Sequence, residues 1–387
     1  MNKRRLNGNR ERMSISYIPE TVKMRLWGKA GGRCQYDGCN APLWLDTLTQ
    51  AEFNVAYIAH IIADRPAGPR GHPTLSEELK SDISNLILLC DAHHRLIDML
   101  DIDGHPVELL RAMKERHEQR IRLVTALGPD RQSHVVLYGA NVGQHAAPLS
   151  LRKATQAMVP DRYPAEAQAI TLGMLNSALQ DRNATYWTAE SAQLSSLVSQ
   201  QVKPRLAQGR VEHLSVFALA PQPLLMLLGY MLCDIPAAEV YQLHREPPDW
   251  RWQEDPDGFD YTITAPERTE GPPALVFSLS ATIKDERIEA CLPGASIWRF
   301  CSPAPNNDFL KGRGQARLFR QQARQLLDRI KAAHGEQATL HVFPAMPVAL
   351  AVDFGRIIMP KADLRLQIYD QNRSLGGFFP ALALPQP

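Results

Sequence analysis

Two short knuckles of potential metal ligands constrain this chain more than any other feature: Cys34-Gln-Tyr-Asp-Gly-Cys39 and, much later, Cys90-Asp-Ala-His93. Zinc takes four N or S ligands in a tetrahedron, and structural sites draw them from two such knuckles. Asp37-Gly38 supplies the tight turn that brings the first two thiolates together. Cys90 and His93 have two residues between them, a spacing that meets the same geometry. Three of the six cysteines fall here, each beside turn or helix-start residues; Cys233, Cys291 and Cys301 are scattered in apolar surroundings and read as core or near-core residues. One ion held by Cys34, Cys39, Cys90 and His93 would tie both ends of the intervening segment, so its binding free energy would be folding free energy.

Between and beside the knuckles lie a strand and a strand–helix unit. Phe53 to Ile62 is strongly β-forming, with His60 near its end. Ser84 to Cys90 reads as a second strand, after which Asp91 is expected to cap a short helix carrying His94 and Ile97. The order Ala59-His60-Ile61, Asn85, His93-His94 around the cysteine pairs resembles the HNH endonuclease family, whose ββα-metal fold cuts phosphodiester bonds. The resemblance implies that His60 is the general base, that His94 binds a divalent metal such as Mg2+, and that Asn85 holds the loop or the base in place. A neutral imidazole takes a water proton near neutral pH, while a divalent metal stabilises charge on phosphate and leaving oxygen. One position departs from the pattern. Many members carry Asp, Glu or His immediately before the base as a second metal ligand, and here that residue is Ala59. Either waters and substrate oxygens complete the shell, or a carboxylate such as Asp64 or Asp37 does.

At 387 residues the chain suits two domains. The basic start, Met1 to Arg10, is followed by no apolar run, so no signal peptide is expected. Leu214 to Cys233 is the most apolar stretch, but Pro221-Gln222-Pro223 interrupts it, so it reads as strand, turn and helix rather than a membrane span. Thiols at metal-ligand spacing, without a disulfide framework, point to a reducing cytoplasm. The formal charge of +2 is unevenly spread: residues 1–35 hold nine Lys or Arg against two Glu, residues 36–110 are acidic, and basic residues return over 111–122 on an expected helix. A basic arm and a basic helix flanking an acidic centre suit binding to DNA phosphates; a merely solvated helix face is the plain alternative. No motif reads base edges, so cutting with little sequence preference is expected.

After Gly128-Pro129-Asp130 the character changes. A strand is expected at 134–138 and helices at roughly 164–181 and 188–203. Leu214 to Tyr230 reads as strand, Pro-Gln-Pro turn and helix, and Leu340 to Leu350 as strand, Pro-x-x-Pro turn and helix. Strands at 274–280 and 296–301 and a basic amphipathic helix at 314–333 lie between them. The repeated unit suggests two Rossmann-like halves, which bind ligands at the carboxyl ends of their strands. Phe217 to Pro223, Tyr241 to Arg245 with Trp250 and Trp252, and Val342 to Val348 resemble the SAVED domain, a pair of CARF-like halves that senses cyclic oligonucleotides. Candidate contacts to such a ligand are Gln222, Pro223, His244, Arg245, Trp250, Trp298, Arg299, Lys311, Pro344 and Met346, because aromatic and guanidinium planes stack on bases and cations meet phosphates.

The expectation is therefore an α+β ββα-metal HNH domain with structural zinc over 1–127. A linker and first sensor strand follow at 128–150, then an α/β SAVED domain of two CARF/Rossmann-like halves over 151–387. Taken together, the two resemblances imply an HNH–SAVED effector of CBASS anti-phage systems. It would be a double-stranded DNA endonuclease using Zn2+ and Mg2+, activated by a cyclic di- or oligonucleotide, forming a homo-oligomer on activation and carrying no membrane segment. Two other readings stay open: a non-catalytic zinc-containing nucleic-acid-binding protein, and a constitutive restriction-type HNH nuclease.

Overall fold

The computed structural model describes residues 17–46, 48–142, 149–173, 180–208, 212–233, 237–372 and 377–386. Of the expected basic arm at residues 1–35, residues 1–16 lie outside them. The chain divides into two compact units, Met1–Gly128 and Pro129–Pro387.

In the first unit α1 (Glu20–Ala30) precedes the loop of the first knuckle. β1 (Ala56–His60), a short α2 (Leu75–Glu78) and β2 (Leu86–Cys90) come next, followed by α3 (Asp91–Arg95) and a long α4 (Val107–Thr125). β1 and β2 pair antiparallel, with Ala56 opposite Cys90 and His60 opposite Leu86. Leu86, Ile87, Leu88 and Leu89 are all fully buried, so β2 is covered on both faces, together with Leu26, Leu43, Ile97, Leu110 and Met113. The apolar run Leu86–Leu89 therefore forms the centre of the unit. Both strands are shorter than expected: Phe53 is exposed, and residues 83–85 form a 3-10 turn that takes Asn85 out of the strand. Cys90, in extended conformation, is the N-cap residue of α3, and Asp91 opens the helix instead of capping it. α3 runs on into a π-helical turn at Leu96–Leu100.

The second unit starts with β3 (Gln132–Gly139), α5 (Leu151–Met158), β4 (Tyr163–Pro164), β5 (Ile170–Thr171), α6 (Ala184–Leu197), α7 (Lys203–Ala207), β6 (Leu214–Leu219), α8 (Gln222–Met231) and β7 (Ala238–Tyr241). It continues through β8 (Thr262–Thr264), β9 (Pro273–Ser278), α9 (Asp285–Glu289), β10 (Ser296–Cys301), α10 (Arg313–His334), β11 (Thr339–Ala345), α11 (Val348–Arg356), β12 (Arg365–Asn372) and β13 (Gly377–Leu384). Where a helix was expected over 164–181, the described residues hold β4 and β5, both pairing with β3. Residues 174–179 lie outside the described ones.

The first sheet runs β4-β3-β6-β7, all parallel, and the second runs β13-β12-β11-β9-β10-β8. Within the second, β12-β11-β9-β10 is parallel, while β13 and β8 add antiparallel edges. Numbered from its own start, each parallel set has the spatial order 4-3-1-2, so the two halves share one topology. Each reverses direction between its first and third strands, which is where doubly wound sheets open a crevice at the carboxyl ends. The same bond closes both places: Ala140 N–H donates to Leu219 O (3.2 Å) and Leu279 N–H donates to Ala345 O (2.9 Å). The helices after the two third strands, α8 and α11, lie against each other through Gly229 and Gly355. A Cβ on Gly229 would meet Val352 O at 2.0 Å, and one on Gly355 would meet Met226 O at 2.0 Å.

Candidate functional site

In the first unit, local backbone geometry assembles the two knuckles. Gly38 has φ +80°, a left-handed conformation that costs a residue with a Cβ but not glycine, and Cys39 N–H closes the turn onto Tyr36 O (3.1 Å). Gln35 fastens the first knuckle to β2 twice over. Its N–H donates to Leu88 O (2.9 Å), and its Oε1 accepts from Leu88 N–H (2.8 Å). Cys34 thereby comes beside Cys90. The Sγ atoms of Cys34 and Cys90 lie 3.7 and 3.1 Å from His93 Nδ1, and all four ligand atoms of Cys34, Cys39, Cys90 and His93 are within 4.8 Å of one another. Ligands at zinc bond lengths of 2.0–2.3 Å stand roughly 3.3–3.8 Å apart in a tetrahedron, so this group can hold a metal ion of that kind. Tyr36 stacks flat on the His93 ring at 4.0 Å, and its hydroxyl donates a hydrogen bond to His105 Nε2 (2.9 Å). Burial pushes the Cys34 thiol up to about 12, and burial also lowers the His93 pKa, so the metal-free pocket favours neutral ligands. Among the described residues no other group of three or more His, Cys, Asp or Glu is arranged to hold a metal ion.

His60 and Asn85 lie at the connected end of the β1–β2 pair, and His94 lies on α3 beside Tyr57 of β1. His60 is buried as the last residue of β1, and its Nε2–H donates to Lys80 O (2.9 Å). That assigns the proton of the neutral ring to Nε2 and leaves Nδ1 as the lone pair able to accept one. Asn85 is buried and fully occupied: Oδ1 accepts from Ile62 N–H and Nδ2 donates to Ile62 O, both at 2.8 Å, while Asn85 O accepts from Ile61 N–H. It pins the exit of β1 to the entrance of β2. His94 stacks on Tyr57 (4.8 Å, 10°), and its Nε2 lies 3.3 Å from Asp98 Oδ2. Ala59 alternates onto the same strand face as Tyr57, so its methyl stands on the His94 side of β1 without offering a ligand atom. Asp98, on the π-helical turn, is the carboxylate that does stand beside His94. Asp37 is instead paired with Arg116, and neither it nor Asp64 joins a metal-holding group.

A cleft of about 620 Å³ between α1 and α4 is lined by Lys29, Arg111, Lys114 and Arg122 and reaches Ser84, next to Asn85. Glu118 inside it pairs with both Lys114 and Lys29.

In the second unit the expected contact residues scatter. Gln222 opens α8, and its Oε1 accepts from Met346 N–H (3.2 Å), so the first half reaches the strand end of the second. Gln242, which lies in the Tyr241 to Arg245 segment but was not among the expected contacts, makes the companion bond: its Oε1 accepts from Ala349 N–H (3.2 Å) at the start of α11. Pro223 is buried in α8, and Pro344 lies in β11. His244 is buried with neither ring nitrogen hydrogen-bonded. It faces Trp252, whose Nε1 also lacks a partner. Arg245 N–H donates to Asp308, which also pairs with Lys311. Two tryptophans are corrections to the expected ligand surface. Trp250 is 2% exposed against Phe217, and Trp298 is 4% exposed with its Nε1 donating to His334, so both rings serve the core. Arg299 is held by Asp285 and Ile283 O.

Comparison with known proteins bears on this second unit. Residues 194–384 match the SAVED family, the SMODS-associated and fused to various effectors sensor domain, and the unit carries a SAVED domain. Solved structures similar to the chain include the Acinetobacter baumannii Cap4 SAVED/CARF-domain containing receptor with the cyclic trinucleotide 2′3′3′-cAAA. That similarity stands at 13% identity and TM-score 0.42, covering 81% of this chain and 67% of that one. The same receptor with 3′3′3′-cAAA gives 12% identity and TM-score 0.41 over 81% and 67% of the two chains. No curated protein matches the chain. No helix among the described residues is long and apolar enough to cross a membrane.

Proposed function

We propose that this chain is a DNA endonuclease of HNH type under the control of a cyclic-oligonucleotide sensor, acting in CBASS-type anti-phage defence. The observation that carries the nuclease reading is one arrangement beside the Cys/His cluster: a buried histidine with Nδ1 left to accept a proton, an asparagine spent on holding the hairpin end, and a His94–Asp98 pair. The sensor reading rests on the SAVED match over residues 194–384, a family described as sensors fused to effectors.

In this reading Cys34, Cys39, Cys90 and His93 hold a structural Zn2+, which a Cys3His donor set suits. His94 Nδ1 would hold a divalent cation such as Mg2+, which keeps much of its shell as water and phosphate oxygens, while the Asp98 carboxylate holds the ring from Nε2. Bound there, the cation supplies charge neutralisation at the scissile phosphate and the leaving oxygen. His60 takes a water proton at Nδ1, while Lys80 O keeps the ring turned by holding Nε2–H. Asn85 fixes the strand end that carries His60. The basic side chains of the α1–α4 cleft bind backbone phosphates, which gives affinity without base reading.

The activator lies where the two strand-reversal points meet, at Gln222, Gln242 and Met346, with His244 and Trp252 offering to a base edge polar atoms that make no hydrogen bond of their own. Plasmid cleavage in Mg2+ with a panel of cyclic di- and trinucleotides tests the whole reading. Cutting that requires one of the nucleotides supports it. Cutting without any nucleotide indicates a constitutive nuclease, and DNA binding without cutting a non-catalytic zinc module.

A further inference from the structure

Arg70 belongs to none of the motifs above, yet its guanidinium makes four hydrogen bonds to segments near His60 and His94. Its side chain is only 6% exposed. Nε donates to Ile61 O (2.8 Å) and Nη1 to Ile97 O (2.7 Å), while Nη2 reaches His60 O (3.3 Å) and Asp98 Oδ1 (2.6 Å). Two of these acceptors are the backbone of the histidine strand, and two are on the π-helical turn after His94. The turn itself makes one of them available. Asp101 N–H bonds to Leu96 O instead of Ile97 O, which leaves the Ile97 carbonyl for Arg70. Arg70 holds φ +55°, a conformation uncommon for a residue with a long side chain, so the loop keeps a costly backbone state to aim this group.

From this geometry we infer that Arg70 is a positioning residue for the metal-holding His94, locking the His60 strand end to the turn whose Asp98 orients the His94 ring. Asp98 is gripped on Oδ1 by Arg70 and presents Oδ2 to His94 Nε2. That contact directs His94 Nδ1 outward, the arrangement in which a carboxylate orients a ligating imidazole. The planar fork is essential, because a lysine ammonium is a point charge that cannot span four acceptors on two elements. This inference rests on the nuclease reading for its activity arm but not for its binding arm.

The test uses full-length protein carrying Arg70→Lys or Asp98→Asn, with zinc content and circular dichroism checked first. Mn2+ affinity without DNA is then measured by electron paramagnetic resonance, and plasmid cleavage is resolved into kcat and KM. Expected for Arg70→Lys are Mn2+ binding weakened about 10–100-fold and kcat lowered about 100-fold, with KM for DNA and zinc stoichiometry unchanged. A folded, zinc-loaded Arg70→Lys protein with normal Mn2+ affinity and kcat, altered only in melting temperature, would overturn the proposal. If Arg70→Lys does not fold, Asp98→Asn decides, since it keeps the volume and three of the four arginine bonds; normal Mn2+ affinity in that variant overturns the proposal equally. Wild-type protein that binds Mn2+ but never cuts DNA would sink the nuclease reading alone, and loss of that binding in Arg70→Lys would still support the positioning role.

Discussion

At the residue scale, chemistry follows from which lone pairs are left over. Burial holds the Cys34 thiol near 12 when no cation is present, so metal binding has to expel protons, and affinity falls as pH falls. Chelation of zinc, or Cys39→Ser, is expected to unfold the first unit; metal analysis with circular dichroism checks this, and a folded unit without zinc would refute it. Replacing His60 by Ala removes no member of the Cys/His cluster, so zinc content and nucleotide binding should persist while cleavage falls by about 10²–10⁴-fold. Near-normal cutting by that variant would mean the base is elsewhere. Asp370 gives a pH prediction. Burial, with Asp181 nearby, raises its pKa from 3.8 to about 7, so between those values the folded state binds more protons than the unfolded state. Its contribution to stability is therefore intact at low pH and lost as pH rises through that window. Asp370→Asn should flatten this dependence, raising urea resistance at pH 8 more than at pH 5.

At the element scale, apolar runs and proline turns made β3, β6, α8, β11 and α11 readable in the sequence, because a continuous buried run and a proline break are local signals. The segment from 164 to 173 was not readable. Its polar and small residues carry little periodicity, and pairing with β3 decided its conformation. The same holds for the contact between α8 and α11, where two glycines allow backbone to meet backbone. Gly229→Ala forces a methyl onto the Val352 carbonyl and is expected to destabilise the second unit by about 1–3 kcal/mol, measured by denaturant titration; an unchanged midpoint would show that the helices can slide apart at little cost.

At the scale of the whole molecule, the proposed ligand binds in one unit and the proposed chemistry occurs in the other, so activation requires a change that both share. Cutting both strands needs two active centres or one that reorients. Assembly of sensor domains around nucleotide would supply two, and a head-to-tail interface can extend beyond a dimer. Light scattering should show a larger particle with the activating nucleotide, and cleavage should rise more steeply than linearly with protein concentration. Activation at unchanged mass would favour an intramolecular switch instead.

The sequence by itself determined the Cys/His cluster and several elements: the two knuckles that come together and the strand–proline–helix units of the second unit. Each is written in residue types at short range. Only the tertiary structure decided how they are held. Gln35 on Leu88, Arg70 on Ile97 and Asp98, Gln222 on Met346 and Gln242 on Ala349 all join residues far apart in the chain, and most of their acceptors or donors are backbone atoms. Every residue type carries the same peptide group, so the sequence cannot mark which one a distant side chain will find. Burial likewise took Trp250 and Trp298 into the core, since an indole is as well suited to packing as to stacking on a base.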